Sequence, residues 1–217
     1  MDGECLKQDK KSAISRERIL EAAMEEFARR GYAGASLNTV WAEKHISKGM
    51  IYHHFKDKDA LYLLCVERCF DAMTAYLREA AADGSGSARA QLQRYFDSRL
   101  RFFAERPVLL GLFADASFDP PEHLLGEIAG LRSGFDALNT DILTRLLDGE
   151  TLRPGLSAGQ VVEDFRMYMD YFNLHFRKSG AAEGDPAGLL REHEAMCHRQ
   201  LDMLLYGVVE RKEQEHG

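Results

Sequence analysis

Residues 36–58, SLNTVWAEKHISKGMIYHHFKDK, decide how the rest of the chain is read. Two short helical patterns lie within them. One opens at Leu37 behind Ser36 as N-cap; the other opens behind Ser47 and runs to about His54. Only Lys44, His45 and Ile46 lie between the two. A longer helix precedes them, starting near Ser12 or Ser15, with Ile19, Ala23 and Phe27 on one face. Arg29 and Arg30 suit the negative end of its dipole, and Gly31 suits a left-handed stop. Two short helices in a tight turn, packed on a longer one, form a helix-turn-helix layout.

The second short helix is the unusual one. HISKGMIYHHF, residues 45–55, contains no carboxylate, although the chain has 35 Asp/Glu against 28 Lys/Arg and a net charge of −7. Residues 1–58 hold 11 Lys/Arg and 9 Asp/Glu, whereas residues 59–217 hold 17 and 26. The N-terminal quarter is therefore the part suited to a phosphate backbone. Ile46, Ile51 and Phe55 read as inward anchors, leaving Lys48, Met50, Tyr52 and His53 to point outward. Ser47 and Lys48 stand at a helix N-terminus, which favours phosphate oxygens. Gly49 either lets DNA approach the backbone or marks a tight helix contact.

The histidines carry other readings less well. His53 and His54 are adjacent, so their side chains diverge by about 100° on a helix and do not readily share one metal ion. A catalytic pair needs a nucleophile and an orienting acid, but Asp57 and Asp59 suit helix capping. No hydrolase elbow, zinc-protease, phosphate-loop or dinucleotide signature occurs. The expectation is a protein that is not an enzyme, with no catalytic residue, no metal site and no cofactor. Cys65 and Cys69 read as small buried hydrophobes.

RILEAAMEEFARRGYAGAS followed by VWAEKHISKGMIYHHFKDKDAL resembles the DNA-binding domain of the TetR/AcrR family of bacterial transcriptional regulators, over about residues 16–62. The matching positions include Ile19, Ala23, Phe27, Gly31, Tyr32, Val40, Ile46, Ser47, Gly49, Tyr52, Phe55, Lys58 and Leu61. The resemblance implies phosphate contacts by Tyr52, His53 and Lys58. Ser36 and Asn38, at the start of the first motif helix, belong to the same interface. It places Ser47, Lys48 and Met50 in the part that faces bases, with Gly49 among them as a DNA-binding position. Trp41, Lys44 and His45 depart from the family pattern, where alanines and a turn glycine are usual.

The remainder of the chain is also helical in pattern. DGSGS (83–87) is the clearest break; Pro107 opens an apolar segment, and Pro120 and Pro121 precede a helix to about 148. Ser157 with Gln160 forms a capping-box pattern, and Asp185 with Pro186 opens a final helix. The fold class expected is all-α with about nine helices. It comprises an N-terminal three-helix helix-turn-helix DNA-binding domain (12–57) and a C-terminal helical effector-binding and dimerisation domain (58–213).

A reader of two-fold DNA needs a dimer. Val161, Phe165 and Phe176 on one late helix, with Leu201, Leu204 and Val208 on the last, are the interface candidates. The resemblance implies an effector pocket, for which the candidates are Tyr76, Phe96, Phe103, Phe113, Phe135, Tyr168 and Phe172; as sequence they read simply as an aromatic core. Arg99, Arg132, His175 and Asp170 are candidate polar handles that read more simply as surface residues or structural pairs, and no cluster of buried charge is legible.

The partners expected are a double-stranded DNA operator, a second copy of the chain and a small-molecule effector of unknown identity. Apolar runs are too short to span a bilayer, and no signal peptide is evident, so the location expected is cytoplasmic. The function expected is a ligand-responsive repressor. The alternative is a helical small-molecule or metal-binding protein that has lost DNA recognition.

Overall fold

The computed structural model describes residues 2–43, 48–178 and 186–209, with side chains over 12–40, 49–174 and 187–209. Among these residues lie nine α-helices: α1 Asp2–Gly34, α2 Leu37–Glu43, α3 Lys48–His54, α4 Lys58–Ala80, α5 Ala88–Glu105, α6 Pro107–Phe118, α7 Leu125–Asp148, α8 Ala158–Lys178 and α9 Pro186–Val208. A 3-10 turn, Glu122–Leu124, leads into α7. The only extended pairing among the described residues is a bridge of Leu152 with Val209. No described helix is long and apolar enough to cross a membrane.

The helix starts follow local chemistry. Ser36 Oγ accepts the Asn38 N–H at 3.2 Å, and Asp57 Oδ1 accepts the Ala60 N–H at 2.8 Å. Ser157 Oγ accepts the Gln160 N–H at 3.3 Å and donates to Gln160 Oε1 at 2.9 Å. These contacts satisfy N–H groups that have no partner within the helix. Two ends differ from the sequence reading. Helix α1 begins at Asp2, about a dozen residues before the expected start. Lys7, Gln8, Lys10 and Lys11 are good helix formers, and neither glycine nor proline interrupts them. At the other end Gly31 breaks the helix with φ 63 and ψ 176, and helical turns resume as far as Gly34. The loop expected at 179–185, with Asp185 as cap, lies outside the described residues.

The chain packs as two compact units. The first comprises Met1–Phe70 and Arg106–Arg132; the second comprises Asp71–Glu105 and Ser133–Gly217. The functional division expected at residue 57 therefore does not coincide with the packing units.

In the first unit α1 packs on α2, α3 and most extensively on α6. Ile19, Leu20, Phe27, Ile51, Leu61, Tyr62 and Phe70 are fully buried there. Gly111 allows α6 to come this close: a Cβ built on it would lie 2.4 Å from the Ala28 carbonyl oxygen. Cys65 and Cys69 are buried, as small hydrophobes would be, and Cys69 Sγ donates to the Leu109 carbonyl at 3.3 Å. Burial pushes the Cys69 thiol up to about 12, which leaves it protonated and unreactive.

In the second unit α9 packs on α5 and α8. Its core includes Leu92, Phe96, Phe102, Phe103, Leu147 and Leu190.

Candidate nucleic-acid interface

Helix α3 is held from behind. Ile51 and Phe55 are 1% and 6% exposed, and Val40 of α2 is 2% exposed. The Phe55 N–H donates to the Ile51 carbonyl at 2.8 Å, which continues the last turn of α3. The Arg16 guanidinium lies 5.5 Å from the centre of the Phe55 ring. With this face buried, the opposite face is open. Met50 is 37% exposed, Tyr52 51% exposed, and Gly49 and His53 are also exposed. A Cβ on Gly49 would meet nothing within 4 Å. That removes the reading of Gly49 as a tight helix contact and leaves a bare stretch of backbone on the outer face.

Ile46, Ser47 and the side chain of Lys48 lie outside the described residues, as do Lys44, His45 and the side chain of Trp41. His54 turns partly inward, and burial together with its neighbours His53 and Arg16 lowers its pKa. Among the described residues no group of three His, Cys, Asp or Glu is placed to hold a metal ion.

The support of this face depends on two carboxylates that the sequence reading did not single out. Glu26 of α1 is 2% exposed. It takes Arg29 at 2.6 Å and Arg30 at 3.3 Å, and its Oε1 accepts the Ser36 N–H at 3.1 Å. Burial works against its charge, but Arg29, Ser36 and Arg30 outweigh it and hold the carboxyl below its ordinary range. Glu26 thus fixes the residue from which α2 starts. An acidic residue before a pair of arginines looks like surface charge in sequence, which is why it went unseen.

The second is Asp115 on α6. Both its oxygens accept the Tyr32 N–H at 3.1 Å, and Oδ2 accepts the Tyr62 hydroxyl at 2.6 Å. It satisfies the N–H freed where Gly31 breaks α1. Burial raises its carboxyl from 3.8 to about 6, despite the hydrogen bonds from Tyr62 and Tyr32. Tyr32 in turn donates to Asp59, which also meets His123 at 3.2 Å. Lys58, expected at a phosphate, is partly buried with its ammonium 4.4 Å from the centre of the Tyr32 ring. Burial there lowers its pKa, opposed by Asp59 and Asp115. Ser36 is half-buried and engaged as the cap of α2, while Asn38 is exposed.

The second unit disposes of the other expected residues differently. Of the pocket candidates, Phe96, Phe103, Phe135 and Phe172 are buried in this unit, Tyr76 is half-buried beside Phe102, and Tyr168 is 37% exposed. Phe113 belongs to the first unit, where it packs on Phe70 and Phe118. Of the interface candidates, Val161 and Leu201 are 3% and 7% exposed, buried in the core of their own chain. These two cannot also meet a second subunit: Val161 lies on the inner face of α8 and Leu201 on that of α9. Phe165, Leu204 and Val208 are half-buried, and the side chain of Phe176 lies outside the described residues. The open apolar face is instead Met167, Tyr171 and Leu174 on α8, with Met203 and Tyr206 on α9, each 41% to 68% exposed.

Buried charge, not legible in the sequence, is present here. Arg99 of α5 and Glu194 of α9 form an ion pair at 2.8 Å with side chains 8% and 2% exposed. Arg99 is therefore no surface residue. Of the other polar handles, Arg132 and Asp170 both make contacts, and the side chain of His175 lies outside the described residues.

Residues 19–65 match the family model described as bacterial regulatory proteins, tetR family. Among curated proteins, the transcriptional repressor NemR of Escherichia coli K12 is 27% identical over 97 residues, 45% of this chain and 49% of NemR. The transcriptional activator FasR of Mycolicibacterium smegmatis is 33% identical over 85 residues, 38% of this chain and 39% of FasR. The matched part of the chain thus spans half or less of the length of these relatives. Among solved structures, a TetR family regulator from Agrobacterium tumefaciens superposes with a TM-score of 0.61 at 21% identity, over 92% of this chain and all of that one. The regulator FadR of Bacillus subtilis, solved in complex with stearoyl-CoA, gives 0.60 at 17% identity, over 85% of this chain and 96% of that one. At these identities the structures speak for the fold.

Proposed function

Since the chain belongs to the tetR family of bacterial regulatory proteins, we propose that it is a ligand-responsive DNA-binding transcriptional regulator without catalytic activity. In this reading it works in the cytoplasm as a homodimer on a palindromic operator. A small-molecule effector releases it, so that it acts as a repressor. The observation that carries the reading is α3. It is bolted to the core by Ile51 and Phe55, while Gly49, Met50, Tyr52 and His53 stand open on its other side. Bare backbone at Gly49 lets a duplex approach closely, Met50 offers an apolar contact for a thymine methyl, and Tyr52 and His53 supply donors to phosphates.

Residues 12–57 read the DNA, and residues 58–213 carry effector binding and dimerisation. Part of that second stretch, including α6, supports the reading head through Asp115. Two reading heads must stand about 34 Å apart, which calls for two subunits. The exposed face of Met167, Tyr171, Leu174, Met203 and Tyr206 is the surface assigned to that contact. An effector that binds the DNA-incompetent conformer better than the DNA-bound one then switches the protein off.

The experiment is a mobility shift on the duplex upstream of its own gene and on a random-sequence pool, at low salt without effector. Retention of a discrete complex that is lost on adding salt supports the proposal. Absence of any complex supports the alternative, a helical binding protein that has lost DNA recognition.

A further inference from the structure

The Arg99–Glu194 pair is incompletely satisfied. Arg99 Nη2 meets Glu194 Oε1 at 2.8 Å, but Arg99 Nε and Glu194 Oε2 have no hydrogen-bond partner. Nε and Nη2 share one edge of a guanidinium, the edge that takes a carboxylate side-on through two parallel bonds. Here one of those bonds is made. A donor on one member and an acceptor on the other are left, both buried in the second unit. Each unmet buried group is destabilising, more so when charged. A buried ion pair is in any case weak support for stability. Such a pair in an apolar interior calls for a reason beyond packing.

The surroundings narrow what would complete it. The guanidinium carbon lies 5.1 Å from the centre of the Phe135 ring and 6.0 Å from those of Tyr95 and Phe96. The other polar neighbours are already engaged. His193 Nε2 meets Asn173 Oδ1 at 2.9 Å while its Nδ1 lies 3.4 Å from Glu194 Oε1, the oxygen already paired with Arg99, and the Tyr95 hydroxyl donates to Asn139. A completing group must accept from Nε–H and donate to Oε2. A hydroxyl does both with one oxygen. A carboxylate would meet Glu194 with like charge, and an ammonium would meet Arg99 likewise. The pair is neutral as a whole, so a charged ligand would add uncompensated charge to a buried site. The ring walls favour a flat aromatic body behind the hydroxyl.

We propose that Arg99 and Glu194 form the recognition site for an uncharged hydroxylated aromatic molecule, whose hydroxyl closes the side-on pair. The proposal rests on the reading of the chain as a ligand-responsive regulator, and it assigns the chemistry of the effector. Arg99 binds the ligand oxygen through Nε, Glu194 takes its proton as a hydrogen bond through Oε2, and Phe96 and Phe135 flank its ring.

The test is equilibrium dialysis of the full chain against 2-naphthol, naphthalene and 2-naphthoate. The expected result is binding of 2-naphthol at least about tenfold tighter than either analogue, because a site built around a hydroxyl rejects molecules that lack one. Glu194→Gln is expected to reduce that preference to about threefold or less. The paired variant Arg99→Met with Glu194→Leu replaces charge by apolar volume and is expected to keep its helical circular dichroism. In it naphthalene binds as well as 2-naphthol. The proposal is overturned if the wild type binds none of the three, shows no preference for 2-naphthol, or keeps that preference in both variants. Binding of DNA by the ligand-free wild type is measured separately. If DNA binding is retained while the hydroxyl preference is absent, the site assignment fails and the regulator reading stands. If the preference is present without DNA binding, the reverse holds.

Discussion

Asp115 gives the sharpest quantitative prediction. Its carboxyl is half-buried on α6, where it accepts the Tyr32 N–H and the Tyr62 hydroxyl, and burial raises it from 3.8 to about 6. A raised acid favours the protonated form in the folded protein, so the folded state binds more protons than the unfolded chain between about pH 4 and 6. The group's contribution to stability therefore rises as pH falls through about 6, is complete below about 4, and is lowest above 6. The span from 3.8 to about 6 corresponds to about 3 kcal/mol. Asp115→Asn removes the titration and keeps one oxygen to accept from both tyrosines.

The difference in unfolding free energy, wild type minus Asp115→Asn, should grow by about 3 kcal/mol between pH 7.5 and pH 3. Urea unfolding followed by the fluorescence of Trp41, the chain's sole tryptophan, reports on the unit in which α2 lies. A difference that stays flat with pH, or shrinks towards acid, would refute the burial argument.

The remaining predictions concern packing, assembly and DNA. Gly111→Ala puts a Cβ against the Ala28 carbonyl at 2.4 Å, and should lower the stability of the first unit by at least about 1–3 kcal/mol, read by the same urea titration. Glu26→Gln weakens its pairing with Arg29 and Arg30; wild-type stability from this group is present above about pH 4.5 and lost below it, so the two proteins should converge in acid. Tyr171→Glu combined with Leu174→Glu should turn a dimer into a monomer in sedimentation, without loss of helical signal. Lys58→Ala should weaken binding to all duplexes alike and flatten the salt dependence by about one unit of slope, read by anisotropy at several salt concentrations.

The N-terminal helices were legible because each is marked by chemistry that acts locally. Ser36 and Asp57 cap their helices as their side chains allow, and Ile51 and Phe55 fall inward by helical period. What was not legible depends on residues distant in sequence. Asp115 meets Tyr32 across 83 positions, and Arg99 meets Glu194 across two helices of the second unit. Neither pairing leaves a periodic trace. The face of α8 was misread for a related reason. Val161 and Phe172 are apolar at helical spacing, but so are Met167, Tyr171 and Leu174 on the other side. Periodicity shows that a helix has two apolar stripes, and only the packed chain shows which one its own core covers.

If the open face of α3 meets DNA, Gly49→Glu must disturb that contact. A side chain begun at Gly49 meets nothing within 4 Å, so the substitution adds a negative charge to that face without disturbing the core. The measurement is the affinity of wild type and variant, by fluorescence anisotropy, for a duplex selected by the wild type from a random pool, alongside thermal unfolding of both. The expected result is a loss of affinity of at least about tenfold with melting essentially unchanged. Affinity equal to that of the wild type would contradict it, and would place DNA binding, if any, on another surface.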